Sequence, residues 1–99
     1  MTRREPARSP WARDGLPTNI AIFATPDGWR HSILTENGAR LCGRLVGLPA
    51  DASDDAAKSA AAQLISGLGA DLHRARLEVT WTGTHDRHTW QGEVSRVHA

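Results

Sequence analysis

The dipeptide Asn37-Gly38, set between two runs of strand-forming residues, constrains this chain more than any other feature. Both residues tolerate positive φ, so the pair favours a two-residue type I′ turn between antiparallel strands. Such a turn fixes the register on either side of it, and a slip of one residue moves every side chain to the opposite face. With Glu36 opposite Ala39, the pairing runs through Thr35/Arg40, Leu34/Leu41, Ile33/Cys42, Ser32/Gly43 and His31/Arg44 to Trp29/Val46. One face of this hairpin then carries Leu34, Leu41 and Leu45. The other carries Trp29, His31, Ile33, Cys42 and Val46, together with Arg40 and Arg44.

The segments around the hairpin supply the rest of a domain. Residues 18–25, TNIAIFAT, are apolar on both parities, which suits a central strand covered on both sides. Pro26-Asp27-Gly28 follows as a tight turn into the hairpin. The segment LPADASDDAAKSAAAQLISGLGADLHRA is the one good helix. Asp51 or Ser53 can cap it, Asp54 and Asp55 suit the positive end of its dipole, and Ala57, Ala61, Leu64, Ile65 and Leu68 recur at helical spacing. Gly67 and Gly69 are expected to weaken and end it. Leu77, Val79 and Trp81 then alternate with polar residues, as do Trp90, Gly92 and Val94, and the seven polar residues TGTHDRH are expected to join these two runs as a hairpin. The expected fold class is α/β (α+β): a single domain over residues 18–99, with a mainly antiparallel mixed sheet in the order β-β-β-α-β(-β) and one main helix on one face.

Size and charge narrow what such a domain can do. Ninety-nine residues make one domain with a modest core. No apolar run approaches the roughly 20 residues of a membrane span, the N-terminus has no apolar stretch of a secretory signal, and the single cysteine excludes an internal disulfide and a Cys-rich zinc site. A cytoplasmic protein is expected. Eleven arginines against one lysine, with many alanines and glycines, match the usage of a GC-rich bacterial genome. Net charge is +1, unevenly placed: residues 1–13 hold four arginines against Glu5, giving +3, and the remaining 86 residues hold 8 basic and 10 acidic groups, giving −2. The folded part is therefore not a basic body built to coat nucleic acid. Residues 1–17, with three prolines, read as a flexible basic N-terminal arm. It is either an untidy terminus or a device that touches phosphates or a partner through Arg3, Arg4, Arg8 and Arg13, with Trp11 as an anchor.

Three strands, a helix, a strand and a short fifth strand form the order of the ribonuclease H core with its first strand central. The passage GLPADASDDAAKSAAAQLISGL also resembles, in style, the loop and helix start of the shortened ribonuclease H-like domain of HicB-type antitoxins. The resemblance spans roughly residues 18–82. It implies an antitoxin-like, non-catalytic regulatory role. The enzyme's chemistry needs several carboxylates converging on divalent metal ions. Here Asp27 is the candidate for the first position, but the helix has no Glu in its first half and the fourth strand ends TWTG. Asp27 is read as a turn former, and no enzyme activity, metal or cofactor is expected.

Two further clusters have bland readings beside sharper ones. His85-Asp86-Arg87-His88 has the beginnings of a zinc site but no identifiable third ligand, and otherwise is a solvated loop. Cys42 and His31 share a face in the register above without a third catalytic member. The stronger candidate is the sheet face formed by Trp29, His31, Ile33, Arg40, Cys42, Arg44 and Val46. It reads as a subunit or partner interface, as a stacking-plus-cation surface for single-stranded nucleic acid, or as a solvated face. The expected function is a small binding or regulatory protein that forms a homodimer or docks a protein partner. The alternative is a nucleic-acid-binding accessory protein, with weak binding through the arm and Arg40/Arg44.

Overall fold

The computed structural model describes residues 15–86 and 88–97, and the side chains of all of these except Leu72, His73, Thr84, His85 and Asp86. Five strands and one helix follow one another as β1 (Pro17–Thr25), β2 (Gly28–Thr35), β3 (Arg40–Arg44), α1 (Asp54–His73), β4 (Leu77–Asp86) and β5 (Thr89–Arg96). The sheet order is β3-β2-β1-β5-β4, so β1 is central, as its apolar residues on both parities require. Every neighbouring pair is antiparallel, in line with the mainly antiparallel sheet expected and without a parallel pair among the described strands.

The β2–β3 hairpin departs from the expected register by one residue. Ile33 pairs with Leu41, Ser32 with Cys42, His31 with Gly43 and Arg30 with Arg44. The loop is the three residues Glu36, Asn37 and Gly38, closed by Thr35 N–H to Ala39 O (2.9 Å) and Gly38 N–H to Thr35 O (2.9 Å). Only Gly38 takes positive φ there, at 86°, so Asn-Gly builds a three-residue loop with glycine in the left-handed position instead of a type I′ turn. The physical reason lies in side-chain segregation. This register puts Trp29, Ile33 and Leu45 together in the core and sends Arg30, Arg40 and Arg44 to the other face; the expected register left Arg40 and Arg44 among the apolar residues.

The core lies between the helix and one face of the sheet. Ile20, Ile22, Trp29, Ile33, Leu45 and Leu77 point down onto Ala57, Ala61 and Ile65 of α1, all of them buried. Alanines four residues apart let the helix axis approach the strands closely, and Ile65 fills the space further along. On β5, Gly92 lies beneath Trp81: a Cβ on Gly92 would stand 3.0 Å from Trp81 Cε3 and 2.6 Å from Val79 Cγ1.

Helix α1 starts as its sequence suggests. Ser53 caps it, with the Ala56 N–H donating to Ser53 Oγ at 3.1 Å. Its end differs from expectation. The helix runs through Gly67 and Gly69 to His73 and closes at Arg74, a non-glycine residue at φ 50°. Gly69 serves contact, not termination: a Cβ there would lie 2.7 Å from both Ala75 O and Leu77 Cγ, where the chain turns back across the helix into β4. The stretch TGTHDRH is also mostly strand. Strand β4 reaches Asp86 with register shifts about Gly83, and β5 resumes at Thr89. No helix among the described residues is long and apolar enough to cross a membrane.

Candidate interaction surface

The helix covers one face of the sheet, and no described element covers the other. The registers assign that open face row by row. Arg40, Leu34, Asn19, Glu93 and Thr80 form one row across β3, β2, β1, β5 and β4. Cys42, Ser32, Ala21 and Gln91 form the next, and Arg44, Arg30, Phe23 and Thr89 the one after. The small residues at the centre leave a shallow concavity of ≈ 410 Å³, bordered by Asn19, Ser32, Leu34, Arg40, Gln91 and Glu93.

Charge on this face is sorted by edge. Arg30, Arg40 and Arg44, all exposed, occupy β2 and β3, while Glu93 and Glu78, also exposed, occupy β5 and β4. The guanidinium of Arg40 donates to Ser32 Oγ at 3.0 Å, which draws it inward over β2. Phe23, Ala21 and Leu34 lie between the two charged strips and are half-buried. The face can therefore meet a surface that is apolar or small in the middle and oppositely charged at each side.

The seven residues expected to share a partner-binding face do not share one. Trp29 is 2% exposed, His31 6% and Ile33 0%, all beneath the helix, so their assignment to an open face is corrected. Trp29 donates from Nε1 to Ala52 O at 3.0 Å in the loop before α1, which ties that loop to the sheet. Burial, and then the neighbouring charge of Arg30, hold the His31 imidazole below its usual pKa and so in the neutral form. Arg40, Cys42 and Arg44 do lie on the open face. Val46 is 83% exposed beyond the end of β3. Cys42 and His31 occupy adjacent positions across β2 and β3 on opposite faces, because His31 pairs with Gly43, so they form no thiol–imidazole pair. Arg3, Arg4, Arg8, Trp11 and Arg13 of the arm lie outside the described residues. The last residues of the expected arm are part of the fold: Leu16 is tied to the β2–β3 loop, its N–H donating to Glu36 Oε1 at 3.1 Å, and Pro17 opens β1.

Asp27 is exposed in the β1–β2 turn, where Thr25 Oγ1 donates to Gly28 O at 2.7 Å and accepts from the Asp27 N–H at 3.3 Å. His88 belongs to a second polar cluster, at the start of α1. The Asp54 carboxylate meets His88 Nδ1 at 2.7 Å and accepts from Trp90 Nε1 at 2.9 Å, and Lys58 Nζ sits 3.8 Å above the Trp90 ring. The Trp90 N–H first, and then His88, hold the Asp54 carboxyl below its usual pKa. This cluster fastens the helix start to the β4–β5 hairpin. The described residues contain no group of three or more His, Cys, Asp or Glu able to hold a metal ion.

Sequence reading missed Phe23, Arg30, Ser32, Gln91 and Glu93 on the open face. The signal for two of these residues, Arg30 and Ser32, was present: WRHSIL alternates Trp29, His31 and Ile33 with Arg30, Ser32 and Leu34. No family model, curated protein or solved structure matches the chain.

Proposed function

We propose that the chain is a small, non-catalytic binding or regulatory protein that works by docking a protein surface on the open face of its sheet. The observation that carries this reading is the sorted face itself: a half-buried centre of Phe23, Ala21 and Leu34 between an arginine strip and a glutamate strip. Glutamates on the same face favour a protein over a polyanion, since a nucleic acid lying across all five strands would meet Glu93 and Glu78. An antitoxin-like role, which the resemblance to HicB-type antitoxins implies, is one form this docking can take. The exposed Cys42 thiol, the only cysteine in the chain, fits the reducing environment of the cytoplasm.

The test is site-specific photo-crosslinking in the native host. A photoreactive residue in place of Leu34 is expected to yield discrete protein adducts, and one in place of the exposed Gln63 on α1 none of these. Adducts confined to the Gln63 position, or adducts with nucleic acid at the Leu34 position, contradict the reading.

A second reading has one specific observation behind it. Arg30, Arg40 and Arg44 with Phe23 form a compact cation-and-aromatic corner over β1–β3, suited to a short single strand.

A further inference from the structure

We infer that the occupant of the open face is a second copy of this chain, packed face to face about a two-fold axis parallel to the strands. This rests on the docking reading above and deepens it. The charge rows carry the inference. Arg40 on β3 and Glu93 on β5 lie in one cross-strand row, three strands apart, or roughly 14 Å at the usual strand spacing. A two-fold axis along the strands, passing between β2 and β1, exchanges the two ends of that row. The Arg40 guanidinium of one copy then lies over the Glu93 carboxylate of the other, and the reciprocal pair forms at the same time. The other aligned packing, with its axis across the strands, stacks β3 on β3 and sets arginine against arginine. Charge therefore selects one of the two packings.

The centre of the face is compatible with this axis. Leu34 of one copy meets Asn19 of the other, and the small side chains of Ala21 and Ser32 allow the sheets to approach. The area sets the strength. About this axis the four strands β3, β2, β1 and β5 overlap and β4 lies beyond the partner's edge. Four strands of this length present roughly 400 Å² per partner, or about 800 Å² in total, below the range of stable specific interfaces. The dimer is therefore weak and concentration-dependent.

Charge reversal tests the inference. Sedimentation of the full chain is expected to show a monomer–dimer equilibrium. Arg40→Glu and Glu93→Arg are each expected to lower the association constant at least tenfold. A one-to-one mixture of the two variants is expected to dimerise again, because both cross-pairs are then complementary. Circular dichroism of each variant confirms that the exposed substitutions leave the fold intact. A wild type that stays monomeric at millimolar concentration overturns the second copy while leaving the docking face to the cross-linking experiment above. Single reversals that dimerise like wild type, or a mixture that does not recover, overturn the proposed axis.

Discussion

The Trp90 indole N–H donates to the Asp54 carboxylate at 2.9 Å, joining two residues that lie 36 positions apart in sequence. Asp54 opens the helix and Trp90 lies on β5, the strand beside the central one, so this contact sets where the helix start rests on the sheet. His88 reaches the same carboxylate from the β4–β5 turn, and its left-handed backbone (φ 58°) directs the ring there.

Acid should weaken this fastening. The Asp54 carboxyl has a lowered pKa in the folded chain, with the Trp90 hydrogen bond as the leading cause. A group of this kind contributes stability that is fully present above its unfolded pKa, about 3.9, and is lost as pH falls through the lower folded value. Chemical denaturation from pH 6 to pH 2 is expected to show a loss of stability below about pH 4 that Asp54→Asn largely removes.

His31 acts in a higher window. Its imidazole is held neutral by burial and by Arg30, so the folded pKa lies below the unfolded value of about 6.5. The unfolded chain then takes up a proton more readily, and stability falls as pH drops below that unfolded value, down to the folded pKa. Denaturation midpoints between pH 8 and pH 5 should decline in the wild type and change less in His31→Gln.

Trp29 is a core residue. Truncating a buried tryptophan to alanine costs about 3–5 kcal/mol, a large share of the stability of a domain this size. Trp29→Ala also leaves the Ala52 carbonyl without its donor. Urea denaturation is expected to show a loss of that size or no cooperative transition. Arg44→Ala, on the exposed face, should change stability by less than about 0.5 kcal/mol.

The difference between these two substitutions marks how far the sequence could be read. The element order, the central place of β1 and the Ser53 cap follow from composition and spacing, because both faces of TNIAIFAT are apolar and serine ahead of two aspartates is a local signal. The hairpin register does not follow locally. Asn-Gly is compatible with loops of two or three residues, and the choice is made by where Trp29 and Ile33 find a covering helix more than twenty residues away. The composition of the open face inherits that ambiguity, since one residue of slip decides whether Arg40 shares a face with Trp29 or with Leu34. The Asp54–Trp90 contact is equally non-local, and spacing along the chain carries no sign of it.

Nucleic-acid binding, as the second reading has it, should be weak. Three open-face arginines neutralise at most about three phosphates, which gives a slope near −2 for the logarithm of affinity against the logarithm of salt on a single strand. Anisotropy titrations of a labelled oligonucleotide at several salt concentrations measure this slope. Tight binding that persists at high salt contradicts it.

The most direct measurement of the open face as a contact surface uses the single cysteine, Cys42, which lies exposed on it. The rate of thiol alkylation is measured for the dilute purified protein and for the same protein in a fresh native extract at its cellular concentration. Occupation of the face predicts rapid alkylation when dilute and at least several-fold protection in the extract. Equal rates in the two samples, or a thiol already slow in the dilute protein, would contradict it.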